Sequence, residues 1–156
     1  MPKLFPGRYR AQIEGPFVVF LVGMRVNYFW MVWKWLPVAL AMGPLLKALR
    51  RDPAKGFLHG EAYLNGRGAL WIQYWRSQED LERFARSPQE PHLEAWQAFN
   101  RRVGVGGQVG IWHEIYRVEA GNYECLYNNM PLFGLAKAGA HLPADADYER
   151  ARRQRP

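Results

Sequence analysis

The sequence is poor in cysteine, since Cys125 stands alone among 156 residues. A single cysteine excludes an intramolecular disulfide framework and a zinc site built from several cysteines. The sequence also lacks the GxxxxGK[ST] run of a P-loop and a GxGxxG run that opens a helix, so these two phosphate-binding loops are not expected. What is present is 49% hydrophobic residues, with aromatics making up 15% of the chain. This composition excludes intrinsic disorder, and the length fits one domain.

Acidic residues are scarce in the first part of the chain. Residues 1–60 contain nine Lys or Arg and two acidic residues, a net charge of +7, whereas residues 61–156 contain twelve of each, a net charge of zero. This asymmetry favours either an anionic surface or ligand, or simply a soluble exterior rich in arginine. No basic run interleaved with aromatics matches a known nucleic-acid-binding module, so we expect no nucleic-acid partner.

Long apolar runs are missing as well. Residues 16–49 are mostly apolar, but Arg25 and Lys34 interrupt them, and the longest apolar run, 35–46, has 12 residues. A membrane-spanning helix needs about 20. The polar start of the chain does not have the pattern of a signal peptide, so we expect a cytoplasmic protein. The alternative is a membrane-associated protein in which residues 28–49 lie in the bilayer interface.

Apolar periodicity and turn signals predict the secondary structure. Pro37 and Pro44 are expected to break the first helix into segments, Asn65-Gly66-Arg67-Gly68 predicts a hairpin, and Ser77 is a good helix N-cap. Residues 1–14 are expected to be irregular. The predicted elements are strands at 16–26, 56–64, 69–76, 109–118 and 121–129, and helices at 27–51, 78–87 and 91–103.

The order of these elements predicts a fold. Strand, helix, two strands, a helix pair and a further strand make the βαββαβ order of an α+β ferredoxin-like fold, an antiparallel sheet with helices on one face. Residues 1–140 are expected to form this single domain, and residues 141–156 a mobile basic C-terminal tail. Because the strands are apolar on the other face too, a second copy is expected to cover it, giving a homodimer of the dimeric α/β-barrel type.

Six short segments resemble a family. They are Phe5-Pro6-Gly7-Arg8-Tyr9, Trp35-Leu36-Pro37, Gln73-Tyr74-Trp75-Arg76-Ser77, His92-Leu93-Glu94-Ala95-Trp96, Gly110-Ile111-Trp112-His113-Glu114 and Glu124-Cys125-Leu126-Tyr127-Asn128-Asn129-Met130-Pro131. Over residues 4–140 the chain is similar to a little-characterised family of dimeric α/β-barrel proteins. That family is grouped with the monooxygenase of the fungal fumagillin pathway and, more distantly, with antibiotic-biosynthesis monooxygenases.

The resemblance implies a fold and a kind of chemistry. It implies pairing through the sheets, a pocket between sheet and helices, and a small hydrophobic or aromatic substrate that is oxidised without a cofactor. The wider superfamily also holds haem proteins, among them aldoxime dehydratases, so a bound haem is the alternative. Because this one fold hosts unrelated chemistries, the choice between an oxygenase and a haem enzyme must be argued from the residues of the site.

His113 is the first candidate catalytic residue. It falls in the middle of a predicted strand, with Ile111 and Ile115 on its own face and Trp112 on the other. A histidine in such a place can act as a general base, a proton shuttle or the axial ligand of a haem. Its alternative role is that of a core histidine with a hydrogen-bonded neighbour.

A second set of candidates lies on the strand 56–64. His59, Glu61 and Tyr63 share one parity, so their side chains should form a polar stripe about 6–7 Å apart. An acid beside an imidazole, with a phenol in line, is a plausible acid–base set. The alternative is a strand face that only meets water.

Aromatic and cationic residues could shape a pocket. Trp71 and Trp75 share a parity with Gln73, and together with Tyr63 and Trp112 they are candidate pocket walls. For the tryptophans the alternative is core or dimer interface. Arg76 could bind an anionic substrate group or pair with an acid. His92 is expected to cap a helix or contact the surface, and Cys125 to be a buried apolar residue.

Three functional hypotheses follow. The first is a cofactor-independent monooxygenase-type oxidoreductase acting on a small hydrophobic or aromatic molecule, with His113, Glu61 and His59 as catalytic residues and no metal. The second is a haem enzyme resembling the aldoxime dehydratases, with His113 as ligand. The third is a non-enzymatic dimeric module that binds a hydrophobic ligand at a membrane surface.

Overall fold

The computed structural model describes residues 2–88 and 91–153. Its strands are β1 (Leu4–Gln12), β2 (Phe17–Val26), β3 (Phe57–Asn65), β4 (Gly68–Trp75), β5 (Val109–Val118), β6 (Tyr127–Pro131) and β7 (Ala140–Pro143). Its helices are α1 (Val32–Arg51), α2 (Gln78–Arg86), α3 (Pro91–Arg102), α4 (Leu135–Ala138) and α5 (Ala146–Arg153), with a short 3-10 turn at Pro53–Lys55.

The main sheet has four antiparallel strands in the order β3-β4-β2-β5. With α1 between β2 and β3, and α2 and α3 between β4 and β5, this is the predicted ferredoxin-like arrangement of an α+β protein. The hairpin at residues 65–68 is confirmed, since Asn65 pairs with Gly68 and the Asn65 Oδ1 accepts from the Arg67 amide at 3.0 Å. The Ser77 cap is also confirmed, because its hydroxyl accepts from the Asp80 amide at 3.1 Å.

The helices pack on one face of this sheet, which we call the helix face. The core there joins buried residues of β2, β3 and β4 to the last turns of α1 and to α2. Its members include Val18, Phe57, Trp71, Trp75, Leu49 and Phe84. The other face of the sheet, the far face, carries the alternate residues of the same strands.

α1 is continuous, so the predicted break at the prolines is wrong. Pro37 and Pro44 both lie inside the helix. A proline removes the hydrogen bond to the carbonyl four residues earlier, here those of Trp33 and Leu40. Both of these residues are exposed, and water can therefore satisfy the freed carbonyls. No helix in the described ranges, α1 included, has the unbroken apolar length that a membrane crossing requires.

A second sheet, with the order β6-β1-β7, differs from what was expected for the two ends of the chain. The segment expected to be an irregular lead-in contains β1, and the short strand expected at 121–129 begins only at Tyr127. The tail expected from residue 141 is, as far as residue 153, the end of β7 followed by α5. The Tyr148 hydroxyl of α5 donates to the Cys125 carbonyl at 2.8 Å, and this bond ties the helix to the domain. Residues 154–156 lie outside the described residues.

The second sheet and α4 cover part of the far face. Phe17, Val19 and Tyr74 of the main sheet pack with Leu135 and Ala136 of α4 in one apolar cluster. The chain therefore supplies some of the cover that was expected from a second copy. Trp112 and Tyr116 of β5 stay exposed on the same face. The described residues of this chain form no closed barrel.

Candidate active site

A cleft opens beside the edge strand β3, between the main sheet and the second sheet. It has a volume of about 710 Å³, which is in the usual range for small-molecule sites. Its apolar wall includes Phe5, Ala62, Leu132 and Phe133. Its charged lining residues are Lys3, Arg50, Lys137 and Glu61, with the phenol of Tyr63 beside them. The cleft is thus an apolar slot with more positive than negative charge at its edge.

The polar stripe is confirmed as a set of neighbours on the far face. The Tyr63 hydroxyl donates to Glu61 Oε2 at 2.6 Å. His59 Nε2 lies 3.4 Å from Glu61 Oε1, and the Lys137 ammonium pairs with the same oxygen. The carboxylate is therefore the centre of a four-residue cluster, of which Glu61, Tyr63 and Lys137 line the cleft.

Two opposing effects act on Glu61. Burial raises the pKa of its carboxyl, but the hydrogen bonds from Lys137 and Tyr63 and the nearby His59 ring favour the charged form and outweigh burial. The net result lowers the pKa of Glu61 to about 2. The same contacts raise the pKa of the Tyr63 phenol well above its usual value, because burial and the donated hydrogen bond both favour the neutral phenol.

His59 is held neutral. Burial lowers the pKa of its imidazole, and this outweighs the nearby Glu61 carboxylate, which raises it. Nε2 is buried, and at 3.4 Å from Glu61 it has no hydrogen bond of good geometry. A neutral imidazole can accept a proton when one ring nitrogen has no hydrogen bond and lies beside an ionised carboxylate.

Sequence reasoning missed Lys137 and Arg50. Lys137 lies on α4, 76 residues along the chain from Glu61, and reaches the cleft because α4 packs on β3. Phe133, just before α4, lies 6.2 Å from the Tyr63 ring, centroid to centroid. Arg50 lies near the end of α1 and donates to the Gly60 carbonyl at 3.4 Å. The one local signal was a pair of basic residues, Arg50 and Arg51, in the last turn of a helix.

His113 lies on the helix face, away from the cleft. It pairs with Val22 of β2, and its ring is 5.8 Å from that of Phe20. The side chain is exposed on the edge strand β5. The structure therefore does not bring His113 together with His59 and Glu61, and the cleft is not the expected pocket between sheet and helices.

The three tryptophans expected at a pocket have other places. Trp71 and Trp75 are buried under the helices, and the Trp75 indole donates to Gln73 Oε1 at 2.8 Å. Trp112 lies on the far face, where its indole covers Gly23; a Cβ at that glycine would come within 2.6 Å of the ring. None of the three lines the cleft.

Arg76 pairs with an acid, which was one of its two expected roles. Its guanidinium donates to Asp80 Oδ2 at 2.7 Å, and Arg83 holds the other oxygen at 2.9 Å. The Arg76 bond is the main reason why the pKa of Asp80 is lowered. Arg76 is therefore part of the connection between β4 and α2. The side chain of His92 lies outside the described residues.

The surroundings of His113 do not fit a haem. An axial histidine must project into an apolar cavity that covers the macrocycle, whereas His113 is exposed and the 710 Å³ cleft opens on the opposite face. Within the described ranges, no three His, Cys, Asp or Glu side chains converge where a metal ion could bind.

Fold and cleft together define a ferredoxin-like α+β protein with a cleft at the edge of its main sheet. The family model for monooxygenase af470-like proteins matches residues 17–135. Because this is well over half of the chain, the protein belongs to the monooxygenase af470-like family, and the expected family relationship is confirmed. Comparison with curated proteins finds no significant match.

Solved structures share the fold at low sequence identity. An aldoxime dehydratase, OxdRE, solved with butyraldoxime, has a TM-score of 0.62 and 17% identity over 92% of this chain and 39% of its own. Another aldoxime dehydratase has a TM-score of 0.62 and 21% identity over 88% of this chain and 43% of its own. SnoaB, a cofactor-independent oxygenase from Streptomyces nogalater, has a TM-score of 0.47 and 14% identity over 64% of this chain and 90% of its own. This chain thus spans about two fifths of the aldoxime dehydratases.

Proposed function

We propose that the protein is a cofactor-independent monooxygenase-type oxidoreductase that oxidises a small aromatic substrate in the β3 cleft. The observation that carries this proposal is the pairing of an ionised Glu61 with a neutral His59 at the wall of an apolar cleft. Membership of a monooxygenase-like family supports the reaction class.

The cleft favours a substrate that becomes an anion. Glu61 is already neutralised by Lys137, which leaves Arg50 and Lys3 as additional positive charges along the wall. Phe5 and Phe133 both line the cleft and would contact a planar apolar body, whose negative oxygen would lie toward the Arg50 guanidinium. Cations placed where charge develops stabilise an anion more strongly in an apolar cleft than in water.

The polar stripe supplies the base. Glu61 lines the cleft and is the first acceptor of a proton from an acidic C–H or O–H of the substrate. A carboxylate with a pKa of about 2 does not keep that proton. His59, neutral and 3.4 Å behind it, takes the proton and returns it to solvent later. Tyr63 keeps the carboxylate oriented by donating to its second oxygen.

The electrons come from the substrate. After loss of one proton, the resulting carbanion is electron-rich enough to reduce dioxygen, which bonds to the same carbon. Overall, one CH2 group and one O2 give one C=O group and one water, so the carbon loses four electrons and dioxygen gains four. No external reductant is needed for this balance.

The test is dioxygen uptake by the purified chain with ionisable aromatics, such as anthrone and naphthols, corrected for spontaneous oxidation. The wild type is expected to exceed the background, with kcat lowered about 100-fold by His59→Gln, the usual contribution of a general base. Arg50→Met should raise KM, whereas Arg51→Met, its exposed neighbour on α1, should not. Equal rates for the wild type and His59→Gln would contradict the proposal.

The protein is also proposed to form a homodimer through the part of the far face that the second sheet leaves open. Trp112 and Tyr116 are exposed there beside the half-buried Leu21 and Ile72. Light scattering at micromolar concentration should give twice the chain mass of 18.1 kDa. The Tyr116→Glu variant should have the mass of a single chain. A wild-type mass of 18.1 kDa would contradict the dimer.

A further inference from the structure

Large apolar side chains are exposed together where β2 leads into α1. Trp30 is 70% exposed and Trp33 65%, and Tyr28, Phe29 and Val32 are exposed as well. Leu64 at the β3–β4 hairpin and Val105 in the turn after α3 are almost completely exposed. We call these three segments, residues 27–33, 64–68 and 103–108, the aromatic end. Monomeric proteins rarely expose so many large apolar residues in one place.

Hydrogen bonds join the three segments. The Val26 amide donates to the Arg67 carbonyl at 2.6 Å, and the Asn27 amide donates to the Gln108 carbonyl at 3.0 Å. The Asn27 side-chain amide donates to the Gly107 carbonyl at 2.9 Å. The Trp35 indole fixes the loop from inside by donating to the Phe29 carbonyl at 2.9 Å. The exposed aromatics are thus presented on an anchored framework.

The charges at this end are all positive. Residues 16–51 contain five Lys or Arg and no acidic residue. The Arg67 guanidinium stacks 5.3 Å from the centre of the Phe29 ring, and Arg25 and Arg101 are exposed beside the segments. α1 begins here with no acidic residue in its first turn and no side-chain cap, so its dipole adds to the positive potential.

We propose that the aromatic end docks the protein on an anionic lipid bilayer. Tryptophan and tyrosine prefer the headgroup layer, where the ring is buried and the polar edge stays hydrated. The arginines around them are attracted to anionic lipids. In this arrangement the start of α1 lies on the membrane surface rather than crossing the bilayer. A second copy is a less suitable occupant, because a two-fold interface would place this positively charged patch against an identical positively charged patch.

The experiment is co-sedimentation of the full chain with sucrose-loaded vesicles. Wild type should bind vesicles of phosphatidylcholine with phosphatidylserine, and bind pure phosphatidylcholine much more weakly. Trp30→Ser with Trp33→Ser should lower the partition coefficient about tenfold or more, as expected from the loss of buried apolar area. Arg25→Glu and high salt should weaken binding to the phosphatidylserine vesicles.

The matched control is Ile115→Ser, which removes an exposed apolar side chain of β5 outside the aromatic end and should bind as wild type does. Circular dichroism checks that each variant is folded. Equal binding by wild type and the Trp30/Trp33 double variant would overturn the proposal, as would no binding of wild type to phosphatidylserine vesicles. Self-association lost in the double variant, without vesicle binding, would assign the surface to a second copy.

Discussion

Glu61 and His113 lie on opposite faces of the same four-stranded sheet. Glu61 pairs with Ile72, Ile72 with Leu21, and Leu21 with Glu114, so these four residues share the far face. His113 is one residue along the strand from Glu114 and therefore projects from the helix face. The two candidate proton acceptors cannot belong to one site within a single chain, and of the two only Glu61 lines the cleft of the proposed function.

His113→Ala is expected to leave the chemistry of the cleft intact. The variant should bind ligands in the cleft and oxidise substrate as the wild type does, because the side chain is exposed on the other face. Haem added to wild type and variant should produce no Soret shift that depends on His113. A saturable shift lost in the variant would make His113 a ligand and redirect the search to haem chemistry.

Glu61→Gln should change how stability depends on pH. The pKa of Glu61 is lowered from 4.5 to about 2 in the folded chain, so its contribution to the free energy of unfolding is complete above pH 4.5 and is lost as the pH falls towards 2. Hydrogen bonds to a charged group contribute about 1.5–3 kcal/mol, so the variant should be less stable by about that amount at neutral pH. Urea unfolding at a series of pH values measures this.

The matched control for that variant is Glu114→Gln. Glu114 also accepts a hydrogen bond from a tyrosine two residues on, Tyr116, at 2.7 Å, but it is exposed. Its loss should change stability less. A difference between wild type and Glu61→Gln that did not shrink on acidification would contradict the low pKa of Glu61.

Gly56→Ala should destabilise the junction between β3 and α2. Gly56 has φ +79°, and a Cβ there would collide with the Asp80 carboxylate, which Arg76 and Arg83 hold in place. Gly15→Ala is the control, since Gly15 has φ +72° and open space around it. The left-handed conformation alone costs about 1–2 kcal/mol. Chemical unfolding should show a larger loss for Gly56→Ala; equal losses would show that the carboxylate moves freely.

Trp75 is expected to be structural. It is fully buried among Phe57, Phe84 and Gln73, so Trp75→Ala should cost about 3–5 kcal/mol of stability. Trp33→Ala, at a side chain 65% exposed, should change stability by less than about 0.5 kcal/mol. Thermal unfolding of both variants measures the difference. A stable Trp75→Ala protein with impaired ligand binding would contradict this and support the earlier expectation that Trp75 lines a pocket.

The main sheet could be predicted from the sequence because its signals are local. The hairpin at residues 65–68, the Ser77 cap and the alternation that puts His59, Glu61 and Tyr63 on one face depend only on neighbours in the chain. The register between strands then determines which residues share each face of the main sheet. The same alternation predicts that His113 and Trp112 project from opposite faces of β5. It does not predict which of these faces meets the helices.

The second sheet could not be predicted in this way. β1 contains Pro6 and Gly7, residues that usually interrupt strands, and the chain accommodates them in an irregularity between Phe5 and Arg8. The Gly7 amide donates to Asn129 Oδ1 at 2.8 Å, a bond that spans 122 residues. Lys137 depends on the same long-range pairing to reach Glu61. Apart from the basic pair at the end of α1, the wall of the cleft is thus a tertiary feature without a local signal.

The most direct test of the cleft is a ¹H–¹⁵N NMR titration of the whole protein with 1-naphthoate, a planar aromatic anion. The proposed function predicts saturable shifts centred on the amides of residues 61–63 and 132–137, weakened by Arg50→Met and unchanged by Arg51→Met. Shifts centred on His113 and the helix face, or no saturable shifts in the cleft, would contradict it.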